Sequence, residues 1–211
     1  MSKVQVKICG ITNAADALAS VDAGANLLGF NFYPQSPRQI SEAAAAKIRA
    51  RLPKRVKVVG IFVNRLSAEV IMLRKSLALD LVQLHGDESP EAVAQLARSA
   101  PVIKVFRLET DFPLATLDEY PGAFAYLFDA ANRGQYGGTG RTTDWDVARR
   151  AALSHRIILA GGLKVENVAA AVRIVRPYGI DVASGVETEP GKKDHGLLRE
   201  FIQEVRRAER K

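Results

Sequence analysis

Cys9 is the only cysteine in 211 residues. It stands where the run Val4-Gln5-Val6-Lys7-Ile8-Cys9 gives way to Gly10-Ile11-Thr12-Asn13. A thiolate at a strand end can take a proton from carbon. Its counterpart is Asp129, where the apolar run Phe124-Ala125-Tyr126-Leu127-Phe128 stops on a carboxylate. An apolar surround raises a carboxyl pKa, so Asp129 could give a proton where Cys9 takes one. A base and an acid on opposite sides of a substrate are what an isomerase needs. The competing reading is structural: a lone strand cysteine is commonly a small buried hydrophobe, and a strand-end aspartate commonly caps a loop.

Lys7 precedes Cys9 by two, so on a strand both side chains share a face, here assigned to the protein interior. An ammonium beside a thiol favours the thiolate and lowers a pKa that starts near ~8.5. An isolated buried charge needs a partner, and Asp181 on the last apolar run is the expected one, within a hydrogen bond or one bridging water. Two glycine-bearing turns, Leu159-Ala160-Gly161-Gly162-Leu163 and Val182-Ala183-Ser184-Gly185-Val186, could bring the amides of Gly162, Ser184 and Gly185 against a phosphate. Arg38, set among Pro34 and Pro37, could hold a carboxylate in a two-pronged grip. His85 ends another short apolar run and is a further candidate substrate contact. The stretch from Ala130 to Trp145 is long and rich in glycine, as a mobile cover over a site would be.

The elements that must position these groups alternate. Short runs at Val4 to Cys9, Asn26 to Phe30, Val56 to Phe62, Leu81 to His85, Val102 to Phe106, Phe124 to Asp129, Arg156 to Ala160 and Ile180 to Ser184 read as strands. Between them lie single apolar stripes at helical spacing, such as Ile40, Ala44, Ile48 and Leu52, or Val165, Val168, Val172 and Val175. Asn13, Ser41 and Ser89 with Pro90 mark helix starts, and Gly24 and Gly179 mark helix ends. The fifth helix, near Leu114 to Tyr120, is short. Successive strand starts are spaced by roughly 21 to 32 residues, near the ~30 of a strand, crossover helix and two loops. Eight such units predict an α/β fold, a single (β/α)8 TIM barrel domain over residues 1–211. A doubly wound open sheet would want a glycine-rich phosphate turn after the first strand, and Cys9-Gly10-Ile11-Thr12-Asn13 is not one. In a barrel, chemistry belongs at the strands' C-terminal ends, where Cys9, Asn64, His85, Arg107, Asp129, Gly161-Gly162 and Ser184-Gly185 all fall.

Composition removes several classes. With 47% hydrophobic and 25% charged residues the chain is an ordinary globule. No apolar run approaches the ~18 residues of a membrane helix, and Met1-Ser2-Lys3-Val4 enters a strand at once, so a cytoplasmic protein is expected. One cysteine forms no internal disulfide, and His85, His155 and His195 are too scattered for a metal site. The net charge of +7 is spread over many helices. The dense run Arg206, Arg207, Arg210 and Lys211 is interleaved with Glu204 and Glu209, a solvated helix face without a nucleic-acid motif. Alanine-rich helices suit a monomer or a homodimer.

The ordered series Lys7-Ile8-Cys9-Gly10-Ile11-Thr12, Gly29-Phe30-Asn31-Phe32-Tyr33-Pro34 with Ser36-Pro37-Arg38, Gly60-Ile61-Phe62-Val63-Asn64, Val82-Gln83-Leu84-His85-Gly86, Phe128-Asp129, Gly137-Gly138-Thr139-Gly140 with Asp144-Trp145, Leu159-Ala160-Gly161-Gly162-Leu163, and Asp181-Val182-Ala183-Ser184-Gly185-Val186-Glu187 with Pro190-Gly191-Lys192-Lys193-Asp194 resembles the phosphoribosylanthranilate isomerase family over nearly the whole chain. The resemblance implies an Amadori rearrangement of N-(5-phospho-β-D-ribosyl)anthranilate to 1-(2-carboxyphenylamino)-1-deoxyribulose 5-phosphate in tryptophan biosynthesis. It implies Asp129 as general acid, Cys9 as base, Arg38 on the anthranilate carboxylate, and amides around Gly162, Ser184 and Gly185 on the phosphate. His85 would touch substrate, and no cofactor or metal would be needed. Lys164 departs from the expected helix-capping Asn or Asp. Two rivals remain: a non-catalytic barrel that binds a phosphorylated ligand, and a dual-specificity isomerase of the histidine and tryptophan pathways. Cys9 argues against the second, since those barrels resemble one another in using two aspartates.

Overall fold

A computed structural model describes residues 3–108, 111–130 and 144–210. Eight parallel strands close into a barrel in chain order: β1 (Gln5–Cys9), β2 (Leu27–Asn31), β3 (Lys57–Phe62), β4 (Leu81–Leu84), β5 (Val102–Leu108), β6 (Ala125–Ala130), β7 (Ile157–Leu159) and β8 (Gly179–Val182). The seam between β1 and β8 is in register, with Lys7 opposite Asp181 and Val6 opposite Ile180. Helices α1 (Ala14–Ala23), α2 (Glu42–Arg49), α3 (Ser67–Ser76), α4 (Pro90–Ala97), α5 (Trp145–Ala151), α6 (Val165–Val175) and α7 (His195–Ala208) complete the alternation, with a 3-10 turn at Leu114–Glu119 in the fifth helix's place.

Strand alternation divides the core in two. Val6, Ile8, Val58, Phe62, Val102 and Phe128 pack outward against the helices in the larger cluster. Leu27, Val59, Leu81, Ile103, Val105, Leu127 and Ile158 turn inward and fill the barrel. The inward set also includes Lys7, Gln83, Asp129 and Asp181, all buried. Polar groups therefore enter the barrel on the same two-residue period as its apolar filling.

Helix starts follow the capping residues. Asn13, Ser41 and Ser89 accept backbone N–H bonds from Asp16, Ala44 and Ala92, and Pro90 takes the first helical position of α4. Lys164, which has no capping oxygen, begins α6 by a reversed arrangement: its own N–H donates to Asn167 Oδ1 at 2.9 Å. Gly24 ends α1 in the left-handed region. Gly179 does not end a helix. Arg176 takes the left-handed turn at φ 51°, and Gly179 opens β8, where a Cβ would lie 3.0 Å from Gln5 O.

After β8 come a 3-10 turn at Ser184–Val186 and an antiparallel hairpin, β9 (Glu187–Glu189) and β10 (Lys192–Lys193), which the sequence pattern did not announce. The hairpin leads into α7, which packs on α1 and α6. Arg206 on α7 donates to Val4 O at 2.7 Å and to Asn26 Oδ1 at 3.0 Å, so this part of the basic run ties the helix to the barrel's N-terminal end. The glycine-rich stretch expected to cover the site falls mainly on residues 131–143, outside the described residues. Of its last residues, Asp144 caps α5. Among the described residues no helix is long and apolar enough to cross a membrane.

Candidate active site

The inward side of β1 carries Lys7 and then Cys9. Lys7 is fully buried, whereas Cys9 is partly exposed at the barrel mouth. The Lys7 ammonium donates to Asp181 Oδ1 at 2.9 Å, with the side chains 1% and 8% exposed. The contact expected from alternation and seam closure is there. Gly29 on β2 makes the space: a Cβ on it would lie 3.2 Å from Lys7 Nζ and 3.2 Å from Cys9 Cα. Burial pulls the Lys7 pKa down, but Asp181 and then Cys9 outweigh it, and the ammonium is held above its ordinary value. For Cys9 the balance runs the other way. Burial pushes the thiol up, Lys7 and Lys193 pull it down, Asp181 adds to the rise, and the net displacement is upward. Lys7 thus opposes the loss of the thiolate without lowering the thiol below its ordinary value, because desolvation is the larger effect.

Asp129 ends the inward side of β6 and is 8% exposed. Its Oδ1 accepts the Ala130 N–H at 2.9 Å, and its Oδ2 lies 3.5 Å from His85 Nε2. His85 Nδ1 is 3.3 Å from Gln83 Nε2, the preceding inward residue of β4. The structure therefore brings two of the expected site residues, Asp129 and His85, side by side. Behind them is a pair that sequence reasoning missed. Glu88 Oε2 accepts from Lys104 Nζ at 2.9 Å, Glu88 Oε1 accepts the Asn64 N–H at 2.9 Å, and Lys104 also donates to Gly86 O at 2.7 Å. Both charges are buried, and together they hold the turn that follows His85.

The loops after β7 and β8 touch. Gly161 and Gly162 have φ of 82° and 62°, which favour glycine, and a Cβ on Gly185 would lie 2.0 Å from Leu163 O. Asn167 Nδ2 donates to Gly162 O at 2.9 Å and fixes the first loop. Around the rim the order is Cys9 on β1, Ser184 and Gly185 after β8, Gly162 after β7, and Asp129 on β6. The thiol and the carboxyl thus flank the two glycine turns, three strands apart in a barrel of eight. A phosphate seated at the turns would place the rest of a substrate between base and acid.

Arg38 crosses close to Cys9: a Cβ on Gly10, whose φ is 75°, would lie 2.6 Å from Arg38 Cδ. Its guanidinium already grips a carboxylate, that of Glu187, through Nε at 2.9 and 3.1 Å and Nη2 at 2.7 Å. Lys193 joins the same carboxylate at 2.7 Å. Glu187 and Lys193 were not singled out as site residues. The available signal was the Pro190-Gly191 turn between Glu187-Thr188-Glu189 and Lys192-Lys193, a hairpin with opposite charges facing. Beside Arg38's loop, Phe32 stacks on Phe62 at 5.5 Å and 19°, and with Tyr33 and Asn64 lines an open cleft of about 590 Å³. Among the described residues, no three His, Cys, Asp or Glu side chains are grouped to hold a metal ion.

Residues 6–204 match the family model described as N-(5'phosphoribosyl)anthranilate (PRA) isomerase. The N-(5'-phosphoribosyl)anthranilate isomerase of Pelobacter propionicus is 48% identical, over 95% of this chain and 94% of that protein. The crystal structure of phosphoribosyl anthranilate isomerase from Thermotoga maritima superposes with a TM-score of 0.90 at 39% identity, covering 96% of this chain and 98% of that one. A phosphoribosyl anthranilate isomerase in complex with reduced 1-(o-carboxyphenylamino)-1-deoxyribulose 5-phosphate superposes with a TM-score of 0.86 at 38% identity, covering 96% and 98%.

Proposed function

The chain belongs to the N-(5'-phosphoribosyl)anthranilate isomerase family, and from that premise we propose how its barrel rim carries out the isomerisation of this tryptophan-pathway substrate. The substrate's phosphate sits at the amides of Gly162, Ser184 and Gly185. Asp129 protonates the furanose ring oxygen, and the ring opens to a Schiff base. The Cys9 thiolate then removes the C2 proton, and the enolamine so formed tautomerises to the ketone. Substrate and product are isomers, so protons alone are moved and no cofactor enters the proposal. The single observation that carries this reading is the rim order of thiol, two glycine turns and carboxyl on successive parts of one barrel.

Lys7, fixed under Cys9 by its ion pair with Asp181, limits how far burial raises the thiol. His85, 3.5 Å from Asp129, touches the substrate near the ring oxygen and orients the acid in this proposal. Arg38 holds the anthranilate carboxylate. Since Glu187 occupies its Nε and Nη2 edge, the carboxylate approaches from the Nη1 side or displaces Glu187. The protein acts as a single barrel domain in the cytoplasm on a small phosphorylated substrate.

Expression in a bacterium lacking this isomerase tests the proposal. Growth without added tryptophan is the expected result. No growth, with the folded protein present in the cells, would overturn it.

A further inference from the structure

Lys193 is a buried charge that the reaction as described does not use. Lys193, on β10, has a side chain with 0% exposure. Its ammonium makes three bonds, to Cys9 O at 2.6 Å, to Ala183 O at 3.3 Å and to Glu187 Oε1 at 2.7 Å. An ammonium has three donors, so the set is complete. The acceptors belong to three parts of the site. Cys9 is the proposed base, Ala183 leads directly into the Ser184-Gly185 turn, and Glu187 grips Arg38. The hairpin that carries Lys193 is itself tied down, since the Lys193 N–H donates to Asp16 Oδ2 at 2.8 Å and the Gly191 N–H to Glu187 Oε1 at 3.2 Å.

We propose that Lys193 is a positioning residue for the isomerisation, one ammonium that locks the spacing between the base, the phosphate turn and the carboxylate-holding arginine. The inference rests on the roles assigned above to Cys9, Ser184-Gly185 and Arg38. Its energetic sense is plain. Burying a lysine without partners costs several kcal/mol, and burial does pull the Lys193 pKa down against the pull of Glu187 and Cys9. A side chain that bonds main-chain oxygens at the end of β1 and just after β8, and reaches Arg38 through the Glu187 carboxylate, holds backbone, which side-chain packing alone does less well. The charge also reaches the thiol. The charged groups facing Cys9 are Lys7 from β1, Asp181 from β8, Lys193 from β10 and Arg38 from the β2 loop, and of these Lys193 is one of the two that favour the thiolate most directly. Glu187, from β9, faces Lys193 and Arg38 and partly neutralises both.

The test compares Lys193→Met, Lys193→Arg, Glu187→Gln and Cys9→Ser in the full chain. Steady-state kinetics, the pH dependence of Cys9 alkylation by iodoacetamide, and far-UV circular dichroism are measured on each suitable variant. Lys193→Met is expected to lower kcat by about tenfold or more, with KM changed less, and to move the alkylation midpoint up by about one pH unit, a tenfold loss of thiolate. Lys193→Arg, which keeps the charge and its donors, returns both toward wild type. Glu187→Gln leaves Lys193 its two carbonyls but loosens Arg38, so KM rises and kcat stays within about threefold. Wild-type kcat and an unmoved alkylation midpoint in Lys193→Met would overturn the inference. So would a loss in Lys193→Met and Lys193→Arg alike that tracks lost helix signal. If Cys9→Ser turns over like wild type, the base assignment fails instead, and the alkylation shift still reads the hold of Lys193 on Cys9.

Discussion

Lys7→Met removes the cation beneath the proposed base and leaves the buried Asp181 without its 2.9 Å partner. At a contact distance of about 4 Å and an effective dielectric of about 20, one charge on another is worth about 4 kcal/mol, or about three pH units. Solvent at the partly exposed thiol screens part of that attraction, so the shift at Cys9 is about one to two units upward. At neutral pH the thiolate population, and with it kcat/KM, falls about 10- to 100-fold and recovers as pH rises. The unpaired carboxylate also destabilises the fold by about 3–5 kcal/mol. For a chain of this size that is a Tm lower by about 6–20 °C. The assay is alkylation of Cys9 by iodoacetamide across pH, unambiguous because there is one cysteine to react. The double variant Lys7→Met with Asp181→Asn separates the two effects. It should recover most of the Tm, since no charge is left stranded, yet keep an alkylation midpoint above wild type. A Lys7→Met midpoint equal to or below that of wild type would refute the reasoning.

Three further outcomes follow from other contacts. The Glu187 carboxyl is pushed up by burial, but Arg38 and Lys193 hold it below its ordinary value. Its contribution to stability is therefore present above the ordinary carboxylate range and is lost as pH falls through the depressed folded value. Denaturation below about pH 4 should have a shallower pH slope in Glu187→Gln, and an unchanged slope would contradict the pairing. Gly185→Ala forces a Cβ toward Leu163 O, 2.0 Å away, so the phosphate turn must shift. A KM raised about tenfold or more and about 1–3 kcal/mol of lost stability are expected, and wild-type values for both would count against the turn's role. Lys104→Met strands Glu88, whose side chain is 5% exposed, and should cost about 3–5 kcal/mol in urea denaturation.

The barrel was legible because its signal is local. Each strand and each helix declares its own period, and the caps at Asn13, Ser41 and Ser89 act within three residues. Lys7 facing Asp181 was also within reach, since strand alternation and closure of β1 on β8 leave one sensible partner. The hairpin of Glu187 and Lys193 was not. Its strands are three and two residues long and entirely polar, so no alternation marks them. Its meaning lies in contacts to Arg38 and Cys9, separated by 149 and 184 positions along the chain. Lys104 was hidden for a different reason. It occupies an outward position of β5, where packing residues are expected, and becomes intelligible only beside Glu88. The thiol illustrates a conflict of magnitudes: sequence shows the cation two residues away, but only the folded chain shows that burial outweighs it.

The central claim is that Cys9 and Asp129 move the protons. It is tested most directly by turnover of N-(5'-phosphoribosyl)anthranilate by wild type, Cys9→Ser and Asp129→Asn under one set of conditions. The account predicts conversion by wild type and a kcat lower by about 10²–10⁴-fold in each variant, with the substrate still bound. Equal rates in all three proteins would contradict it.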